Sequence, residues 1–425
     1  MKTLKLVILL CSSALICAVL LCGCGMLNDN TVYAPVSEGV LSSDGFYYDL
    51  YENGSATIVG VENISSCYLT IPERVDGHPV NAVGDYAFRD QTQVTYVKMG
   101  SNIKSIGARA FSGCTSLVRI DLGGAVRTIG DEAFYSCNVL CEVNGMQKVT
   151  SIGSSAFAQC SSLAFITLPD TVTSIGDQAF YGCSALNTLT LPKNDCVIGN
   201  GAFSYCDALS IVDLGGISTL PTGAFEKCTS LAVIEIGNKV TYIGESAFRG
   251  CERLDTVTIG KNVTYIGSSA FEETAWLAAQ TDEFVIVGDG ILLKYNGTAS
   301  NVVIPSSVKR IGDAFCGVSD VRSVEISGKV SEIFDYAFSG CKQLSRVTIT
   351  ANVKKIGLNA FSSCSALAVI YLPESLQSIG VSAFYGCEAL TNVNFAGNAS
   401  AWSKITLEKG NEYLQAANIA YSQKP

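Results

Sequence analysis

Apolar residues recur along most of this chain in one short grammar rather than in helical stripes. An Ala-Phe pair places Phe at 88, 111, 134, 157, 180, 203, 225, 248, 271, 315, 338, 361 and 384, and ten of the twelve intervals are 23 residues, one is 22 and one is 44. The 44 is two units of 22, so the register survives it. One unit reads Phe111-Ser-Gly-Cys114-Thr-Ser-Leu117-Val-Arg-Ile120-Asp-Leu122-Gly-Gly-Ala-Val126-Arg-Thr-Ile129-Gly130. Its Leu-x-x-Ile-x-Leu stretch ends in period-two alternation, which predicts a strand with Leu, Ile and Leu inward and the residues between them outward. Pro169, Pro192, Pro305 and Pro373 stand just after this strand, where a ladder N–H is no longer needed. Val-x-x-Ile-Gly predicts a second short extended piece. The Asp-x-Ala-Phe-x-x-Cys piece has room for a turn or two of 3-10-like helix. One unit cannot bury its own apolar face, so units must stack and share a core. The expectation is a repeat solenoid of about 14 coils of 22–23 residues, with a parallel β-sheet face, short strands and short helical or 3-10 turns, capped at both ends.

The longest interval holds something else. Thr274 replaces the usual Cys, Ala275-Trp276-Leu-Ala-Ala-Gln follows, and then two apolar runs flank Asp289-Gly290, a hairpin turn signal. This interrupting hairpin coil spans about 272–300. Two readings stand: a projecting hairpin that carries binding, and, preferred, a lengthened coil that keeps the core continuous with Trp276 packed inward.

Composition narrows the chemistry. Charged residues are 16% of the chain, below the ~25% of ordinary soluble domains, and there is ample apolar surface to bury. The net charge is −10, which opposes binding to nucleic acid through bulk charge. Ten of the eighteen cysteines fall three residues after a repeat Phe: Cys114, Cys137, Cys160, Cys183, Cys206, Cys228, Cys251, Cys341, Cys364 and Cys387. They could form a disulfide or metal array, or a stack of small buried thiols. Gln91, Thr274 or Val318 fills the slot elsewhere with no neighbouring cysteine vanishing, which favours buried thiols. No metal and no cofactor is expected, because a linear ladder does not converge on an ion and His78, in the turn sequence Asp76-Gly-His-Pro79, is the one histidine. Gly199-Asn-Gly201 begins like a dinucleotide loop, but Ser204 stands where its third glycine belongs. No catalytic constellation is legible and the chain reads as a non-enzyme. A hydrolase built on an unrecognised carboxylate pair is the remote alternative.

Met1 to Lys5 is a short basic start, Leu6 to Leu21 is apolar and uncharged, and Leu21-Cys22-Gly23-Cys24 follows. This order reads as an export signal. Its ending resembles the bacterial lipobox, which implies cleavage before Cys24 and a diacylglycerol thioether on that residue. A membrane-spanning anchor is the other reading. The expected layout is a signal peptide over 1–23, the lipidated Cys24 and a flexible tether over 24–44, and an exported chain held to the cell membrane or outer surface, on its extracellular face.

The 23-residue unit as a whole resembles the BspA-type leucine-rich repeat of bacterial and protozoan surface proteins, over roughly 66–396. The ordinary leucine-rich repeat has Asn three residues after its last strand Leu. Here that position is Ala125, Thr171 or Lys239, and only occasionally Asn194, so horseshoe curvature is not assumed. Phe46-Tyr-Tyr-Asp-Leu with Ala56-Thr-Ile-Val-Gly resembles an N-terminal β cap over 45–65, and Trp402 to Tyr421 a C-terminal cap over 397–425. Caps are also physically required, because end coils would otherwise expose apolar edges.

The resemblance implies adhesion through protein-protein or cell-matrix contacts, with an extracellular protein or glycoprotein as partner and the membrane engaged only by the N-terminal lipid. An envelope scaffold or spacer without external ligand is the alternative. Outward residues of the sheet are the natural binding surface. The row before each strand Ile holds Tyr96, Arg119, Phe165, Ile211 and Val233, and the row after it holds Tyr371. These six are the candidate ligand-binding residues, with Phe165, Ile211 and Val233 forming an apolar patch on three of four successive coils.

Overall fold

The computed structural model describes residues 27–28 and 31–423; the export segment and Cys24 lie outside them. Three antiparallel strands open the array: β1 (Pro35–Leu41), β2 (Phe46–Tyr51) and β3 (Ala56–Val61). β1 lies inside the segment expected as a tether, so the ordered cap begins before residue 45. β3 pairs in parallel with His78–Val83 and so starts a β ladder.

Two parallel ladders then run along the rod. The first joins outward-and-inward strands such as Tyr68–Ile71, Tyr96–Met99 and Arg119–Asp121. The second joins two-residue strands such as Ser105–Ile106, Thr128–Ile129 and Ser151–Ile152, each with its Ile inward. The solenoid has about 16 turns rather than 14. Counting by repeat Phe misses the ends: Ala56–Val61 and Tyr68–Ile71 begin the ladders, and Thr406–Leu407 and Asn418–Tyr421 finish them, all outside the run of repeat Phe.

The Ala-Phe corner is not helical. Among described residues the only 3-10 helix is Met146–Lys148, away from these corners. Alternate N–H groups divide between two duties. Ala110, Ser112 and Cys114 donate to carbonyls three residues back, while Arg109, Phe111 and Gly113 donate to the Asp131, Ala133 and Tyr135 carbonyls of the next coil at 2.8 Å. Left-handed residues two before and two after the Phe, such as Arg109 (φ 55°) and Gly113 (φ 75°), turn those N–H groups toward the following coil. The corner therefore forms a third hydrogen-bonded ladder, and this need to pair outward overrides local helix formation.

Behind the corners the Phe rings stack. From Phe88 to Phe271 successive centroids are 5.1–5.6 Å apart, an offset-stacked aromatic spine. Each of the ten ladder thiols lies beside the spine and donates to the carbonyl of the preceding coil's Phe, as Cys137 Sγ does to Phe111 O at 3.2 Å.

The interruption divides the core. A one-turn helix, α1 (Ala275–Ala278), is capped by the Thr274 hydroxyl, and the hairpin β4 (Phe284–Val287) and β5 (Ile291–Tyr295) follows. β5 resumes the second ladder by pairing with Arg310–Ile311. Trp276 packs edge-on against Phe271 at 5.0 Å, and Tyr295 starts a new stack on Phe315 at 4.7 Å. Two apolar clusters result, meeting at Leu292 and Leu293 and again beyond the hairpin, where Phe334 packs on Tyr265 at 4.7 Å and joins the first cluster; a single continuous core was expected. Trp276 thus ends the first spine and Tyr295 begins the second.

Candidate functional site

The repeat period puts five of the six candidate residues on one outward row, and parallel pairing joins parts of it. Tyr96 pairs with Arg119, Phe165 bridges Thr188, and Thr188 pairs with Ile211. Phe165, Ile211 and Val233 are 60%, 61% and 55% exposed, large values for apolar side chains. Tyr96 and Arg119 belong to a different group nearer the N-terminal cap. Arg119 lies 5.6 Å over the Tyr96 ring and within 3.4 Å of Glu142, and Tyr68 packs edge-on to Tyr96 at 5.7 Å. Tyr68 is itself highly exposed and continues the row. Its unit is longer than 23 residues, so counting by period does not find it. Tyr371 sits far along the rod under the Arg346 guanidinium, 4.9 Å from its ring centre. The six residues thus form a middle apolar group, an N-terminal aromatic-cation group and one distant tyrosine.

The middle group borders a break in the rod. Phe203 to Phe225 is the 22-residue unit, and the residue it lacks is in the turn after the strand β6 (Ile211–Asp213). That turn is Gly215-Gly216. A Cβ on Gly215 would stand 2.3 Å from the Pro192 carbonyl oxygen, and one on Gly216 1.9 Å from that of Lys193. The shortened turn is therefore drawn down onto the coil before it, a fit that only glycine allows. The coil after it is left behind. Its strand β7 (Val233–Ile236) belongs to a separate sheet from β6, and the second ladder breaks at the same level, between Val197–Ile198 and Thr219–Leu220. Gly237 has no atom within 4 Å of its Cβ position, whereas Gly100, Gly123 and Gly260 at the same register are pressed against the preceding coil. The Gly100 and Gly260 N–H groups bond back to Ile71 and Ile236; no backbone bond of this kind is formed by Gly237.

On the opposite side this unit stays closed. Phe203 still donates to Ala224 O at 3.0 Å and still stacks on Phe225 at 5.5 Å. The break is a wedge, shut at the spine and open on the sheet. It forms a cleft of about 510 Å³ lined by Asp213, Leu214, Glu235, Gly237, Asn238 and Lys239, among others. Two further shallow hollows lie along the rod, near Gly100 and near Ala351, in stretches where the ladders are continuous.

Other candidate chemistry does not converge. His78 Nδ1 faces the Gly54 carbonyl at 3.2 Å. Among the described residues no three His, Cys, Asp or Glu side chains gather as metal ligands, and no helix is long and apolar enough to cross a membrane. Burial pushes the Cys114, Cys183 and Cys387 thiols up to about 12, which removes them as nucleophiles near neutral pH.

No curated protein matches the chain. Several solved structures resemble it. A leucine-rich repeat protein from Bacteroides ovatus is 23% identical over 89% of this chain and 99% of its own, with a TM-score of 0.46. The leucine rich repeat protein of T. pallidum is 28% identical over 50% of this chain and 89% of its own, at 0.40. A leucine rich cell surface protein from Faecalibacterium prausnitzii is 24% identical over 86% and 97%, at 0.37. A family model of the BspA type leucine rich repeat region, in six copies, matches residues 63–169, 150–277 and 293–410. With its repeat register, ladders and caps laid out above, and most of its length matched by that model, the chain belongs to the BspA-type leucine-rich repeat family.

Proposed function

We propose that this protein is exported, anchored to the cell membrane through a lipid on Cys24, and binds an extracellular protein or glycoprotein through its exposed sheet face. The observation that carries the binding role is the exposure of Phe165, Ile211 and Val233 on one row, a grouping that costs solvation free energy unless a partner covers it. Thr188 lies within the patch, between Phe165 and Ile211, and Thr256 beyond Val233 would form part of the rim of such a contact. The apolar run before Cys24 and the lipobox-like Leu21-Cys22-Gly23-Cys24 support anchoring.

Biolayer interferometry of the purified protein against matrix proteins, mucins, glycans and intact cells tests the reading. Saturable binding that is lost in Phe165→Glu and Val233→Glu supports it. Absence of binding across that panel by a well-folded sample overturns it in favour of an envelope scaffold. Mass spectrometry of the membrane fraction tests the anchor, which predicts a diacylglycerol adduct on Cys24 that is lost in Cys24→Ser.

A further inference from the structure

We infer that the wedge between β6 and β7 is a strand-docking notch for an extended, lysine- or arginine-bearing segment of a partner protein. The inference rests on the proposed binding role of the sheet face and assigns its location and the chemistry of its partner.

Three observations converge. First, β7 is a strand edge inside the array. Every parallel strand offers alternate N–H and C=O groups to each neighbour, and β7 is paired only with Thr256–Ile259 on its far side. Its near edge is not paired with β6, and the C-terminal end of that edge, Glu235 to the Gly237 N–H, faces the cleft. An extended guest chain supplies what that edge lacks, which is how strand addition gains main-chain affinity. Second, the side chains beside that edge are suited to a guest of alternating character. Ile211 and Val233, the first residues of the two strands, expose apolar surface. Asp213 and Glu235 are exposed and form no ion pair among the described residues; Asp213 Oδ1 accepts only the Gly215 N–H, at 2.9 Å. Two unpaired carboxylates at one mouth favour a cationic guest, with the exposed Lys239 at the far rim the single opposing charge. Third, the gap is built in and preformed. The Gly215-Gly216 turn holds the lower coil down, and the spine and corner ladder hold the unit together behind it, so the opening is confined to the C-terminal ends of β6 and β7, where Asp213, Glu235 and Gly237 stand.

The test uses the full chain and a synthetic probe. A fluorescein-labelled Lys-Val-Lys-Val-Lys-Val peptide is titrated by anisotropy against a Glu-Val-Glu-Val-Glu-Val control, with amide hydrogen exchange read in parallel. The expected result is saturable binding of the lysine peptide alone, with new exchange protection at 233–237. Asp213→Asn with Glu235→Gln should weaken it together by about tenfold, since neither substitution touches packing. Gly237→Leu, whose side chain enters open space at an ordinary φ, should fill the notch and abolish binding. Binding unaffected by Gly237→Leu, or equal for the glutamate peptide, overturns the inference. So does absence of peptide binding by a sample whose screened partner is still lost in Phe165→Glu; that result retains the sheet-face reading and discards the notch. A glycan whose binding is lost in Gly237→Leu, with no peptide binding, also overturns it and assigns the notch to carbohydrate.

Discussion

Asp313 Oδ2 accepts the Ser269 N–H at 2.7 Å and the Ser268 hydroxyl at 3.1 Å, across the interruption that divides the core. Asn411 does the same at the end of the array, its Oδ1 accepting the Phe384 N–H at 3.0 Å. Both oxygens stand where the corner ladder runs out of carbonyls. Backbone N–H groups turned to one side by residues of opposite hand make a concave, positive site, and an anion or amide oxygen satisfies it. Asp313 also follows from the local sequence. Its unit has one residue fewer between Ile311 and Phe315, and it alone lacks the left-handed residue two before the Phe.

This pairing predicts how the junction responds to substitution and pH. Burial raises the Asp313 carboxyl above its usual range in spite of the two hydrogen bonds. A raised folded pKa means the folded state holds the proton more tightly, so the junction's stability falls as pH rises from about 4 through the raised value. Asp313→Ala should cost about 1–2 kcal/mol in urea denaturation, as loss of a cap does. Asp313→Asn keeps an acceptor, mimics Asn411, and should remove the pH dependence without that cost.

Thiol labelling should separate the ladder from the rest. Burial pushes Cys114, Cys183 and Cys387 each to about 12, whereas Cys67 is exposed. Iodoacetamide on the native protein near pH 8 should modify Cys67 first and leave the ten ladder positions unmodified until denaturant is added. Peptide mapping by mass spectrometry reads this out. Early modification of Cys160 would contradict the buried stack.

Removing one ring from the spine should cost more than removing one thiol. Phe180 is completely buried between Phe157 and Phe203, 5.3 Å from each. Phe180→Ala should destabilise by about 3–5 kcal/mol. Cys183→Ala removes one small side chain and one weak hydrogen bond, and should cost roughly 1 kcal/mol. Equilibrium denaturation of the two variants gives the comparison.

The two glycines flanking the wedge should differ in kind. Gly216→Ala drives a methyl group against the Lys193 carbonyl and should destabilise by about 1–3 kcal/mol. Gly237→Ala enters open space and should change stability by no more than about 0.5 kcal/mol. Equal effects in thermal denaturation would show that the coils are evenly spaced there.

The repeat, its strands and its inward residues were legible because a residue fixed by register meets the same surroundings in every coil. Leu117, Ile120, Leu122 and Phe111 are all buried, as the alternation required. The corner is not the short helix its sequence suggests, because local sequence does not report that Arg109 and Phe111 must donate to the next coil. The wedge was present in the sequence only as an interval one residue short. That Gly215-Gly216 would settle downward and leave Gly237 open depends on contacts between coils, which no periodicity encodes. The candidate row was found, but its division into separate groups was not, because Arg119 chooses Tyr96 and Glu142 by reach rather than by register alone.

The one-way alignment of the corner ladder also governs how the array can assemble in time. A finished coil presents the N–H groups of its corner, as Arg109, Phe111 and Gly113 do, to whatever emerges next from the ribosome, and presents carbonyls on the sheet, as Thr95 and Ile106 do to Val118 and Gly130. Growth is thus templated in the order of synthesis. At two places a side-chain oxygen, Asp313 Oδ2 and Asn411 Oδ1, takes the acceptor role that the next coil's carbonyl plays elsewhere.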